Sequence, residues 1–236
     1  MTHDLDGGTE TAAMILFDPE SLPDDYDERT RGDAAAVVAE AAERGGLFLI
    51  DAGAGGLYDL RLMVGEGLPD DVATLVRPVG EVGRFRVAGG RLHFAGVEYG
   101  FRRDDSRLAK RPNMGSSCEV PPGTYRLQAY RMDDPEGFIE DRLRERTSPL
   151  ALRLDAIMRR WLLPIGSLGA IAGVVGLVTL GWREWRVTAL PVSLAMVLPA
   201  AVLSFTRTYR DAREARRRVA AECADYWAVL EPAEGG

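Results

Sequence analysis

The chain has 236 residues, 46% of them hydrophobic, and a formal net charge of −7 at neutral pH. That length holds one soluble domain of ordinary size plus a further segment. The acidic balance argues against a nucleic-acid surface, which needs clustered cations for phosphate contacts. Charge is divided unevenly: residues 1–140 carry 26 acidic and 15 basic side chains, a net of −11, and residues 141–236 carry 10 and 14, a net of +4.

Residues 1–13 are polar and glycine-containing and read as a disordered lead-in. They lack the charged-then-apolar pattern of a cleavable signal peptide, so residues 1–140 are expected to stay in the cytoplasm. Met14–Phe17 is short and apolar and reads as an edge strand, and the carboxylates from Asp18 to Glu28 that follow read as a solvated loop, since their spacing does not match a calcium loop. Asp33 is placed to cap a helix over Ala34–Arg44, which Gly45 and Gly46 terminate.

Strand-like runs then alternate with glycine-rich links. Leu47–Asp51 and Leu57–Val64 flank Ala-Gly-Ala-Gly-Gly and read as a hairpin; the link lacks both the strand-to-helix context of a dinucleotide loop and the Gly-Lys-Ser/Thr of a P-loop. Arg84–Val87 and Leu92–Ala95 flank Gly89-Gly90, the clearest hairpin signal in the chain. Cys118–Val120 and Thr124–Met132 flank Pro121-Pro122-Gly123 in the same way. Residues 14–133 are therefore expected to form a cytoplasmic β-rich domain, an antiparallel sheet or small barrel with one helix.

Two uncharged runs, Trp161–Trp182 and Val187–Phe205, follow a juxtamembrane helical stretch at 134–160. Neither run contains Asp, Glu, Lys, Arg or His, and each is near the ~20 residues that span a bilayer as helix. Only Arg183 to Arg186 separates them, so residues 161–205 read as an antiparallel transmembrane hairpin. Gly166, Gly169, Gly173 and Gly176 form a small-residue side for helix packing, either on the second run or on another copy of the chain. Trp161, Trp182 and Trp185 stand at the run ends, where indole favours the interface. Six arginines precede the first run (Arg142 to Arg160), six follow the second (Arg207 to Arg218), and two lie in the link. Arg159, Arg160, Arg207 and Arg210 are the nearest to the membrane. The bias places both termini in the cytoplasm at the inner membrane, with residues 206–236 as a C-terminal cytoplasmic helix. The fold class is thus an α+β membrane protein.

Little in the sequence points to chemistry. The two histidines, His3 and His93, are far apart, Ser116 and Ser117 form no nucleophile elbow, and Cys118 beside His93 is the only thiol–imidazole pairing available. No catalytic residue, cofactor or metal is expected. Arg102, Arg103, Arg107, Lys110 and Arg111 form the one basic cluster of the soluble domain, a contact for an anion or a partner. These features predict a non-enzymatic, membrane-anchored module that binds a protein or small ligand at the inner membrane face, with the lipid bilayer and a protein partner or another copy as its contacts. Two rival readings are a membrane effector whose oligomerised hairpins alter permeability, and a tethered enzyme with an unrecognised site.

Overall fold

The computed structural model describes residues 1–179, 185 and 187–233. The chain is α+β and divides into two units: residues 1–135 with 224–236, and residues 136–223.

The first unit contains two sheets. One has the strands β1 (Thr2–Thr9), β4 (Gly56–Val64), β9 (Tyr226–Pro232), β8 (Gly123–Met132) and β5 (Val76–Val87), in the spatial order β1-β4-β9-β8-β5. The other has β3 (Leu47–Asp51), β2 (Ala13–Phe17), β6 (Arg91–Gly96) and β7 (Gly115–Glu119), in the order β3-β2-β6-β7. A single apolar core draws on both sheets, with Leu60, Leu62, Phe85, Leu127 and Leu230 from the first and Leu16, Ile50 and Phe94 from the second. Period-two alternation accounts for the two-sided burial of β2. Met14 and Leu16 enter that core, while Ile15 and Phe17 meet Val37, Val38 and Ala41 of helix α1 (Ala34–Glu43) on the opposite face. A strand covered on both faces must be apolar throughout, and Met14–Phe17 is, so it lies between β3 and β6 and not at the expected edge. Asp33 caps α1 by accepting from the Ala36 amide at 3.1 Å. Gly45 stops it with φ +71°, and a β-carbon there would strike the Arg84 carbonyl oxygen.

Several expectations are corrected. The lead-in is not loose: β1 occupies Thr2–Thr9 and pairs antiparallel with β4, Leu5 opposite Leu60. Only Leu5 of this strand carries an apolar side chain into the core, so the hydropathy signal is weak. A β-carbon on Gly7 would stand 2.9 Å from the Phe94 carbonyl, so the glycine here permits close approach to β6 and is not a sign of disorder. The three glycine-rich links close no hairpins. β3 pairs with β2 whereas β4 pairs with β1 and β9; β5 pairs with β8 whereas β6 pairs with β2 and β7; β7 pairs with β6 whereas β8 pairs with β5 and β9. Each link carries the chain from one sheet to the other. The first sheet is also mixed, because β4 and β9 run parallel. Parallel neighbours need a long crossover, and the whole segment between Val64 and Tyr226 supplies one.

The C-terminal expectation is corrected too. Helix does not run on to the end of the chain: Tyr226 to Leu230 are buried as the third of five strands. The antiparallel neighbours β8 and β9 are joined by everything from 133 to 225, and the Met132 amide donates to the Asp225 carbonyl at 2.9 Å. The helical unit is thus an insertion in what is otherwise a β-hairpin.

In the second unit, α2 (Pro135–Arg146) precedes a continuous helix over Pro149–Thr179, made of α3 (Pro149–Ile157), a π-helical turn at Met158–Leu162 and α4 (Leu163–Thr179). Its 31 residues include a window long and apolar enough to cross a membrane, with few of that window's side chains buried. Helix α5 (Ala189–Ser204) packs on α4, and α6 (Arg207–Glu222) leaves it at a bend of 73°. The second run does not continue straight, because Thr206 is an N-cap in extended conformation and its hydroxyl accepts from the Tyr209 amide. Trp182 and most of the link from Arg183 to Arg186 lie outside the described residues.

Candidate functional site: a basic-ended apolar groove

The predicted packing glycines lie together on one side of α4, against α5. A β-carbon on Gly169 would meet Met196, one on Gly173 would meet Ser193 and one on Gly176 would meet Ala189, all under 3.0 Å, whereas Gly166 has 3.7 Å to the Ala200 β-carbon. The remaining faces are open: Val178 is 80% exposed, and Leu168, Ile171 and Val174 exceed half. Trp161 is exposed at the start of the run, whereas Trp185 turns inward and donates from Nε1 to the Gly173 carbonyl at 2.8 Å.

Where α3, α4, α5 and α6 of this unit meet, they enclose a groove of about 830 Å³. One half is apolar, lined by Leu163, Gly166 and Ala170 of α4 and Val197, Ala200 and Ala201 of α5. The other half is charged, lined by Arg213, Arg216 and Arg217 of α6 with Tyr209, and by Arg159, Asp155 and Glu136. Positions 209, 213, 216, 217 and 220 all line the groove because they recur at three- and four-residue steps along α6.

An ion-pair network organises the charged half. Asp155 is buried and accepts from Arg216 at 3.2 Å and from Arg159 at 3.4 Å; Glu136 accepts from Arg216 at 2.7 Å and lies 3.6 Å from Arg159. A buried carboxylate without cationic partners carries a large desolvation cost, so these contacts account for an aspartate on the inner side of α3. Two carboxylates and four arginines leave the lining with two surplus positive charges. Among the described residues Arg213 and Arg217 make no ion pair, so the surplus sits with them.

Of the four arginines placed nearest the membrane, only Arg159 lines this groove. Arg160 and Arg210 are exposed, and Arg207 has Asp211 at 3.9 Å. Arg213, Arg216, Arg217 and Asp155 were missed as a group. Their signal was the helical spacing along the predicted C-terminal helix, which shows its use only once that helix is known to face α3.

The basic cluster of the first unit is largely engaged within the domain. Arg102 and Arg103 reach Asp24 at 3.3 and 3.4 Å, Arg107 donates to the Glu98 carbonyl, and Arg111 pairs with Glu10 and reaches the Tyr99 hydroxyl. Asp27 accepts from the backbone amides of Arg102, Arg103 and Asp104. Lys110 stands beside them on the one-turn helix Ser106–Ala109 as its C-cap. The acidic segment before α1 is therefore not simply solvated. Asp18 is buried and accepts from the amides of Glu20, Gly89 and Gly90, holding the link between β5 and β6.

Register separates the one thiol–imidazole candidate. Cys118 is opposite Leu92 and His93 is opposite Ser117, so their side chains leave opposite faces of the sheet. Cys118 packs on the central core, and burial pushes its thiol up to about 11. His93 lies 5.5 Å from the Phe17 ring and 5.2 Å from the Phe101 ring. Burial, then the Arg91 charge, holds its imidazole below the ordinary range. Asp51 serves a turn, accepting from the Gly53 amide at 2.9 Å. Among the described residues no group of His, Cys, Asp and Glu is arranged to hold a metal ion.

No family model matches the chain, and no curated protein matches it. A solved structure described as Crocagin biosynthetic gene J aligns at 16% identity over 58% of this chain and 80% of its own length, with a TM-score of 0.40, too low to carry an argument.

Proposed function

We propose that this chain is a membrane-anchored, non-enzymatic binding module: a cytoplasmic β-rich unit that recognises a protein or small ligand, held at the inner membrane face by a two-span helical hairpin. The observation that carries this reading is the insertion of the helical unit between the neighbouring strands β8 and β9. A hairpin that crosses and returns puts its two ends on the same side, and the Met132–Asp225 hydrogen bond brings the two connections together. Exposed aliphatic side chains around α4 and α5 supply the surface for lipid, and the arginines on both flanks favour the cytoplasm.

The rival permeability reading has less support. Among the described residues Ser167, Thr179, Ser193 and Ser204 each donate to a carbonyl of their own helix, so their hydroxyl protons are already engaged. Topology is tested in sealed cells with Cys118→Ser and Cys223→Ser as background. A cysteine replacing Glu184 should react with an impermeant maleimide from outside, and one replacing Arg131 should not. Labelling at 131, or release of the protein by alkaline carbonate, overturns the reading.

A further inference from the structure

We propose that the groove between α4, α5 and α6 holds one anionic phospholipid, its phosphate on Arg213 and Arg217 and one acyl chain along the apolar wall. The inference rests on the membrane reading above and adds a specific ligand to it.

Three features of the groove favour that occupant. First, it is amphipathic along its length: Leu163, Gly166 and Ala170 face Val197, Ala200 and Ala201 at one end, and arginines fill the other. A free anion has no use for the apolar end, and an apolar ligand leaves the cations unmatched. Second, the arginines are sorted by duty. Arg216 and Arg159 are committed to Asp155 and Glu136, while Arg213 and Arg217, four residues apart on one side of α6, have no ion-pair partner among the described residues. Guanidinium groups so placed suit phosphate oxygens. Third, small side chains open the wall. Gly166, Ala170, Ala200 and Ala201 leave room beside a helix contact that closes tightly only from Gly169 onward.

The full-length protein is reconstituted in nanodiscs and titrated with phosphatidylglycerol in a phosphatidylcholine background, and detergent-extracted protein is weighed by native mass spectrometry. The expected result is one retained phosphatidylglycerol and a rise in Tm that phosphatidylcholine does not produce. Arg213→Gln with Arg217→Gln should weaken that binding roughly thirtyfold, from about one surface-charge contribution per arginine. Both side chains are exposed, so the variant should fold. Arg207→Gln with Arg210→Gln removes equal charge outside the groove and should keep the lipid.

Equal loss in the two double variants would mean diffuse surface attraction and overturn the site. Protection by glycerol 3-phosphate as strong as by phosphatidylglycerol would assign the arginines to a soluble phosphate and overturn it as well. If carbonate leaves the wild type in the membrane and the retained lipid is indifferent to Arg213 and Arg217, this inference alone fails; if carbonate releases the wild type, both readings fail.

Discussion

A β-carbon added to Gly169 would stand 2.5 Å from the β-carbon of Met196, closer than side chains approach. The α4–α5 pair therefore meets through an absent side chain. Gly169→Leu should force the helices apart and cost about 1–3 kcal/mol, the range for overpacking a close contact. Gly166→Ala, with 3.7 Å to Ala200, should be tolerated. Thermal unfolding of the two variants in the same detergent checks the contrast; equal melting would remove the packing role of Gly169.

Arg216 and Asp155 form the buried half of the ion-pair network, 16% and 8% exposed at their side chains. Asp155→Ala should lower stability by about 1–3 kcal/mol, because it partly strands the Arg216 guanidinium, which keeps only the exposed Glu136 carboxylate. Asp155→Leu combined with Arg216→Met should lose much less, since apolar replacement of both partners avoids the stranded charge. A double-mutant cycle by denaturant unfolding in detergent reads the coupling.

Strand β9 is central in its sheet, so the first unit needs residues from both ends of the chain. A protein cut after Pro135 should be insoluble, lacking the partner that β4 and β8 share. Joining residue 134 to residue 224 by a short Gly-Ser linker should restore a soluble domain, because Met132 and Asp225 are already hydrogen-bonded neighbours. Amide dispersion in an NMR spectrum distinguishes the two.

Cys118 and His93 give opposite tests of one sheet. With its thiol raised to about 11, Cys118 should alkylate at pH 8 far more slowly than an unfolded cysteine, and urea should restore the ordinary rate. His93 has its folded pKa below the unfolded value, so the fold disfavours the protonated form. Its contribution to stability is full above the unfolded value of about 6.5 and falls as pH drops through it toward the folded value. His93→Phe keeps an aromatic ring between Phe17 and Phe101 and should flatten that part of the stability–pH curve.

Much of this was legible in order and composition. Met14–Phe17, Asp33 before α1, Gly45 after it and the uncharged runs around Gly169 and Pro199 each carry a local cause: two-sided burial, a side-chain cap, a left-handed stop, or the absence of charge over a helix's length. Local signals of this kind survive without knowledge of neighbours. Strand partners do not, because alternation tells a side chain which face it takes and says nothing about the strand beside it. Gly89-Gly90 thus has turn chemistry and still links two sheets, and β1 hides behind Gly7 and Gly8.

The amino-acid order by itself determined that an acidic, strand-rich stretch precedes a basic, helix-rich one, since both follow from side-chain chemistry summed over short windows. Only the tertiary structure decided that Tyr226–Leu230 returns to the centre of the first sheet, that Asp155 meets Arg216 across 61 positions, and that Arg213 and Arg217 close the end of an apolar groove. Those are contacts between segments far apart in the chain, and their energy comes from burial and charge pairing that no single segment contains.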